Sequence, residues 1–101
     1  MNIIDGTKDN FNELINEEKV LVQFHATWCG PCKMLMPITK GIAEEEIVKV
    51  VMVDIDENIE LAQKYNIMSV PTLILFSKGE VKAETKGYMS KDALVELINN
   101  N

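Results

Sequence analysis

The sequence predicts an α/β domain with the element order βαβαβαββα, a central mixed sheet of five strands with helices on both faces. Three observations carry that prediction. Residues 20–26 and 47–54 are mostly apolar on both faces, the mark of strands buried in the middle of a sheet. Apolar residues at helical spacing precede, separate and follow these two runs. The last third has a different pattern, two strand-like runs joined by a turn and closed by one helix.

In chain order, Ile3-Ile4 reads as a short strand ended by Asp5-Gly6. Thr7 is a suitable helix N-cap, with Phe11, Leu14 and Ile15 following at helical spacing. After the strand at 20–26, Cys32, Leu35, Met36, Thr39 and Ala43 fall near one stripe of a helix. Pro37 interrupts that helix and predicts a kink, not an end. Residues 57–65 read as a short helix burying Leu61. Residues 72–76 and 81–87 form a hairpin about the turn Ser77-Lys78-Gly79-Glu80. Ser90 caps a closing helix with Leu94, Leu97 and Ile98 inward, and Asn99-Asn100-Asn101 is expected to fray.

Composition narrows the function classes. The chain has 101 residues, 47% of them hydrophobic and 26% charged, which fits one globular domain over 1–101 and excludes disorder. Ten lysines and no arginine against sixteen acidic residues give a net charge of −6. Nucleic acid and anionic membrane are held by surplus positive charge, so neither is expected as a partner. The longest apolar stretch, 47–53, is interrupted by Lys49 and falls far short of the roughly 20 residues of a membrane span. No basic start leads into an apolar run, so the expected location is cytoplasmic. Two cysteines cannot build a multi-bridge scaffold, and two thiolates alone cannot complete a zinc site.

Those cysteines sit in Trp28-Cys29-Gly30-Pro31-Cys32, where the first buried strand hands over to a helix. At a helix start, Cys29 meets unpaired backbone N–H groups and the positive end of the dipole, which favour the thiolate. Cys32, one turn on, faces the same side at a separation suited to a disulfide. Pro31 in the first turn loses no helical hydrogen bond, and Gly30 lets another chain approach closely. A purely structural bridge across four residues stabilises by only about 2 kcal/mol, so a bond that opens and closes explains the pair better. His25 could add a third metal ligand, but no fourth suggests itself.

Over nearly its whole length the chain resembles the thioredoxin family. The resemblance rests on Trp28-Cys29-Gly30-Pro31-Cys32-Lys33, on Phe24 and Ala26 before it, and on Pro37 after it. Asp56 with Asn58, Val70-Pro71-Thr72, Lys78-Gly79 and Gly87 supply the later landmarks. It implies the thioredoxin fold and a general protein-disulfide reductase acting in cell redox homeostasis. Cys29 would attack a substrate disulfide and Cys32 would resolve the mixed disulfide. No cofactor is implied beyond the redox-active Cys29–Cys32 bridge. The implied partners are a thioredoxin reductase as electron donor and disulfide-containing proteins as substrates, with the chain acting as a monomer. Trp28, Gly30, Pro31, Ile55, Val70, Pro71 and Gly87 would form the substrate surface, with a cis Val70–Pro71 bond facing the cysteines.

The chain departs from the family pattern beneath the redox pair. Gln23 stands at the usual buried Asp, and Met52 at the usual Lys. Removing acid and base together buries no unpaired charge, but an amide cannot take a proton from Cys32. His25, two residues further along the same strand face, is one candidate for a proton relay, with Asp56 as its partner. Two competing readings are a specialised oxidoreductase with a shifted potential and a binding module whose thiols are dispensable. Met34, Met36, Met68 and Met89 could supply an adaptable partner surface.

Overall fold

The computed structural model describes residues 3–101. The elements are β1 (Ile3–Asp5), α1 (Phe11–Leu14), β2 (Val20–His25), α2 (Gly30–Glu44) and β3 (Lys49–Asp54), then α3 (Ile59–Lys64), β4 (Thr72–Ser77), β5 (Glu80–Lys86) and α4 (Lys91–Asn99). The five strands form one sheet in the order β1-β3-β2-β4-β5. This is the expected mixed sheet in the expected element order. β2 and β3 are its interior parallel pair, and β1 joins β3 in parallel.

Strand direction differs from the expectation at one place. Strands linked through helices are expected to run parallel, yet β4 runs antiparallel to β2 although α3 precedes it. The chain returns to the sheet at the end it left, with Thr72 opposite Phe24. That brings Val70 and Pro71 to the end of β2 from which the cysteine loop springs.

Alternating side chains build one core on each face of the sheet. Leu21, Val50, Met52, Leu73 and Leu75 pack beneath Leu35, Ile42 and Ala43 of α2 and Leu94 and Ile98 of α4. Val20, Val22, Phe24, Val51, Val53, Ile74 and Phe76 pack against Phe11 and Ile15 and against Leu61 of α3. Gly6 makes the β1 exit fit. Its N–H bonds to Met52 O at 2.8 Å, and a Cβ there would meet Val51 Cγ1 at 2.7 Å.

Several local expectations need correction. Asn10, not Thr7, is the N-cap of α1; Thr7 starts the preceding turn, with its carbonyl accepting from Asn10 and Phe11. In α2 the buried stripe is Cys32, Leu35, Thr39, Ile42 and Ala43. Met36 lies at the edge of that stripe and is exposed. The hairpin turn is confined to Lys78 and Gly79, which have φ of 52° and 84°, the positive pair that a two-residue hairpin turn requires. At the C-terminus, Asn100 N donates to Glu96 O and Asn101 Nδ2 to Leu97 O. As expected, α2 runs unbroken through Pro37.

Candidate active site

β2 ends at His25, and Ala26 to Trp28 carry the chain over the sheet edge to Cys29. Cys29 is the N-cap of α2, in extended backbone geometry, with Pro31 in the first turn. Its sulfur accepts the Cys32 backbone N–H at 3.1 Å. An orphan helix donor thus points at Cys29 Sγ, the arrangement that stabilises negative charge there. Cys29 and Cys32 are joined as a disulfide, with Cα atoms 5.3 Å apart. Both are buried, packed with Ala26 and with the half-buried Ile55 and Val70.

The second part of the site comes from the β4 approach. The Val70–Pro71 bond is cis, the isomer the resemblance implied. Val70 O lies 3.6 Å from Cys29 Sγ; a disulfide sulfur has no proton, so this becomes a hydrogen bond only when Cys29 is a thiol. The Val70 N–H makes no hydrogen bond among the described residues. Pro71 is buried, and its carbonyl accepts from Gly87 N at 2.8 Å. Gly87, at φ 85°, is thereby held beside Pro71. Ile55 N donates to His25 O at 2.9 Å, which fixes the third loop at the same end of the sheet.

Trp28, 67% exposed, forms the rim. Its Nε1 donates to Asp56 Oδ2 at 2.9 Å, a bond that sequence reading missed because nothing in a sequence pairs loops 28 residues apart. Asp56 is therefore engaged by Trp28, and no hydrogen bond joins His25 to Asp56 among the described residues. His25 is half-buried in a cleft of about 330 Å³ with Asp5, Met52, Asp54 and Glu57 around it. A Cβ on Gly30 would meet nothing within 4 Å, so its own chain does not require glycine there. Cys29, Cys32, Trp28, Ile55, Val70, Pro71 and Gly87 are thus gathered at one end of the sheet, with Gly30 and Pro31 exposed above it.

The thioredoxin family model matches residues 2–100. The chain belongs to the thioredoxin family. It is 42% identical to the thioredoxin of Bacillus subtilis over 103 aligned positions, covering all of this chain and 99% of that one. It is 46% identical to the thioredoxin of Rickettsia bellii over 99 positions, covering 94% of each. Among solved structures, a single-site mutant of the thioredoxin from Halobacterium salinarum superposes with a TM-score of 0.92 at 37% identity, over 97% of this chain and 88% of that one. With its cysteine pair, family membership makes the chain a protein-disulfide oxidoreductase working by dithiol–disulfide exchange.

Among the described residues, no group of three or more His, Cys, Asp or Glu could hold a metal ion, and no helix is long and apolar enough to cross a membrane. The two positions at which the resemblance implied an Asp and a Lys lie side by side. Gln23 pairs with Met52 across β2 and β3, and both are buried.

Proposed function

We propose that Cys29 is the attacking thiol and Cys32 the resolving thiol of a general protein-disulfide reductase. The observation that carries the assignment is the position of Cys29 at the N-cap of α2, with the Cys32 N–H on its sulfur. Cys29 as thiolate attacks one sulfur of a substrate disulfide. The Cys29–substrate bond forms, the substrate S–S bond breaks, and the departing substrate sulfur takes the electron pair and a proton. Cys32 then attacks Cys29, the substrate's second sulfur leaves, and the Cys29–Cys32 disulfide remains. Two electrons have passed to the substrate, and a thioredoxin reductase restores the dithiol.

Trp28, Gly30, Pro31, Ile55, Val70, Pro71 and Gly87 form the surface on which an extended substrate segment lies. Support comes from the Val70 N–H and carbonyl, which face this end of the sheet without a strand partner and suit one-strand pairing. The chain works as one domain over 1–101, as a cytoplasmic monomer, with no cofactor besides its own disulfide. For the proton relay, His25 on β2 remains the candidate base, with Asp56 already bonded to Trp28.

Insulin reduction with dithiothreitol as electron source tests the assignment. Wild type should accelerate it, and Cys29→Ser should abolish the acceleration. Full activity of Cys29→Ser would overturn the assignment.

A further inference from the structure

The sheet carries a buried amide that is only half satisfied. Gln23 is fully buried, between Met52 of β3 and Leu73 of β4. Its Oε1 accepts the Thr39 hydroxyl proton at 2.9 Å. Its Nε2 has no hydrogen-bond partner among the described residues. Burying an amide donor without an acceptor costs its full desolvation, whereas an apolar side chain beside Met52 would cost nothing of the kind. A position that keeps such a donor needs a reason beyond packing.

Its surroundings supply one. Cys32, Leu35 and Thr39 lie on one buried stripe of α2, and Gln23 is bonded to that stripe through Thr39. Helix side chains lean toward the N-terminus, and Thr39 Oγ1 accordingly lies 3.2 Å from Met36 O and 3.5 Å from Leu35 O. The Thr39 hydroxyl that holds the amide thus leans toward the Cys32 end of the stripe. Ala26, three residues after Gln23, packs against both cysteines.

We propose that Gln23 is a positioning residue for the resolving step: Thr39 holds its oxygen, which leaves its N–H group to donate, directly or across one water, to the Cys32 sulfur as a thiolate. In the disulfide that sulfur is neutral and the donor goes unmatched; reduction creates its acceptor. In the resolving step the Cys32 thiolate attacks Cys29 Sγ. The Cys29–Cys32 bond forms, the Cys29–substrate bond breaks, and the substrate sulfur leaves with the electron pair. It takes up the proton that Cys32 had released. Gln23 holds charge and moves no proton. The ionisable groups on the elements around Cys32 are Lys33, Lys40 and Glu44 on α2, His25 on β2, Lys49 and Asp54 on β3 and Asp56 in the following loop, each exposed or half-buried.

The proposal rests on Cys32 as the resolving thiol, and its test separates the two. In a Cys29→Ser background Cys32 is the sole thiol, and ultraviolet absorbance follows its thiolate against pH. Gln23→Leu should move this titration upward, cutting the thiolate fraction below the midpoint about tenfold or more, as loss of a hydrogen bond to a charged group requires. With both cysteines present, the same substitution should raise the melting temperature of the disulfide form, because an unmatched donor is gone and Thr39 keeps Met36 O as acceptor. Thr39→Val should shift the Cys32 titration the same way by less, and it carries the test if Gln23→Leu does not fold. An unchanged titration in these variants would make Gln23 purely structural and overturn the proposal. Failure of Cys32→Ser to accumulate a mixed disulfide would instead overturn the role of Cys32.

Discussion

Cys29 Sγ lies 3.6 Å from the carbonyl oxygen of Val70, 41 residues further along the chain. This contact joins the two halves of the site, the α2 N-terminus and the approach to β4. It exists because β4 starts at the end of the sheet where β2 finishes, with Thr72 opposite Phe24. The site is thus a product of topology as much as of the cysteine motif.

Gly30 tests whether the space above the cysteines is used by a partner. Its missing side chain meets nothing within 4 Å of this chain, so Gly30→Leu should leave the melting temperature within the change expected from helix propensity, about 1 kcal/mol or less. Its turnover of protein disulfides should fall several-fold further than its turnover of a small aliphatic disulfide. Equal loss on both would place the effect in the chemistry and not in docking.

Gly6 is the contrasting case. A methyl group there would meet Val51 Cγ1 at 2.7 Å and Val53 Cγ2 at 3.0 Å. Gly6→Ala should therefore destabilise by about 1–3 kcal/mol, as overpacking of a tight core does. Urea denaturation should read this as a lower midpoint at constant slope.

The Trp28–Asp56 bond holds the rim. Asp56→Ala frees the indole and should cost about 0.5–1.5 kcal/mol at most, because the pair is solvent-exposed. The fluorescence of Trp28, the sole tryptophan, should change in intensity and show greater mobility by anisotropy. An unchanged emission would mean that the bond does not order the ring.

Burial pushes the Tyr65 phenol above the usual tyrosine range. It belongs to an aromatic cluster with Phe11, Phe24 and Phe76. The native state therefore holds this proton more tightly than the unfolded chain does. That contribution is complete below the unfolded value of about 10 and is lost as pH rises through the raised native value. Tyr65→Phe should lessen the alkaline loss of stability in denaturation curves recorded above pH 10; an identical pH dependence would contradict the assignment.

Much of this fold is legible because the decisive segments are either apolar throughout or punctuated. Residues 20–25 could hardly be anything but an interior strand, and Lys78-Gly79 marks the hairpin. The direction of β4 is not legible, since α1 and α3 are both short helices yet join β1 to β2 in parallel and β3 to β4 antiparallel. Met36 misleads because it lies at the edge of a helical stripe, where spacing alone does not decide burial. The cysteines and Val70-Pro71 stand out as motifs, whereas the Thr39–Gln23 and Trp28–Asp56 bonds join segments that only folding brings together. Gln23 draws attention as a departure from a pattern; that its amide nitrogen lacks a partner is visible only in three dimensions.

The division of labour between the two thiols is the central claim, and trapping measures it most directly. Cys32→Ser, reduced and then mixed with a disulfide-containing protein, should accumulate a covalent complex linked through Cys29, identified by mass spectrometry and released by dithiothreitol. Cys29→Ser should accumulate little. Equal accumulation by the two variants, or a complex linked mainly through Cys32, would contradict the account.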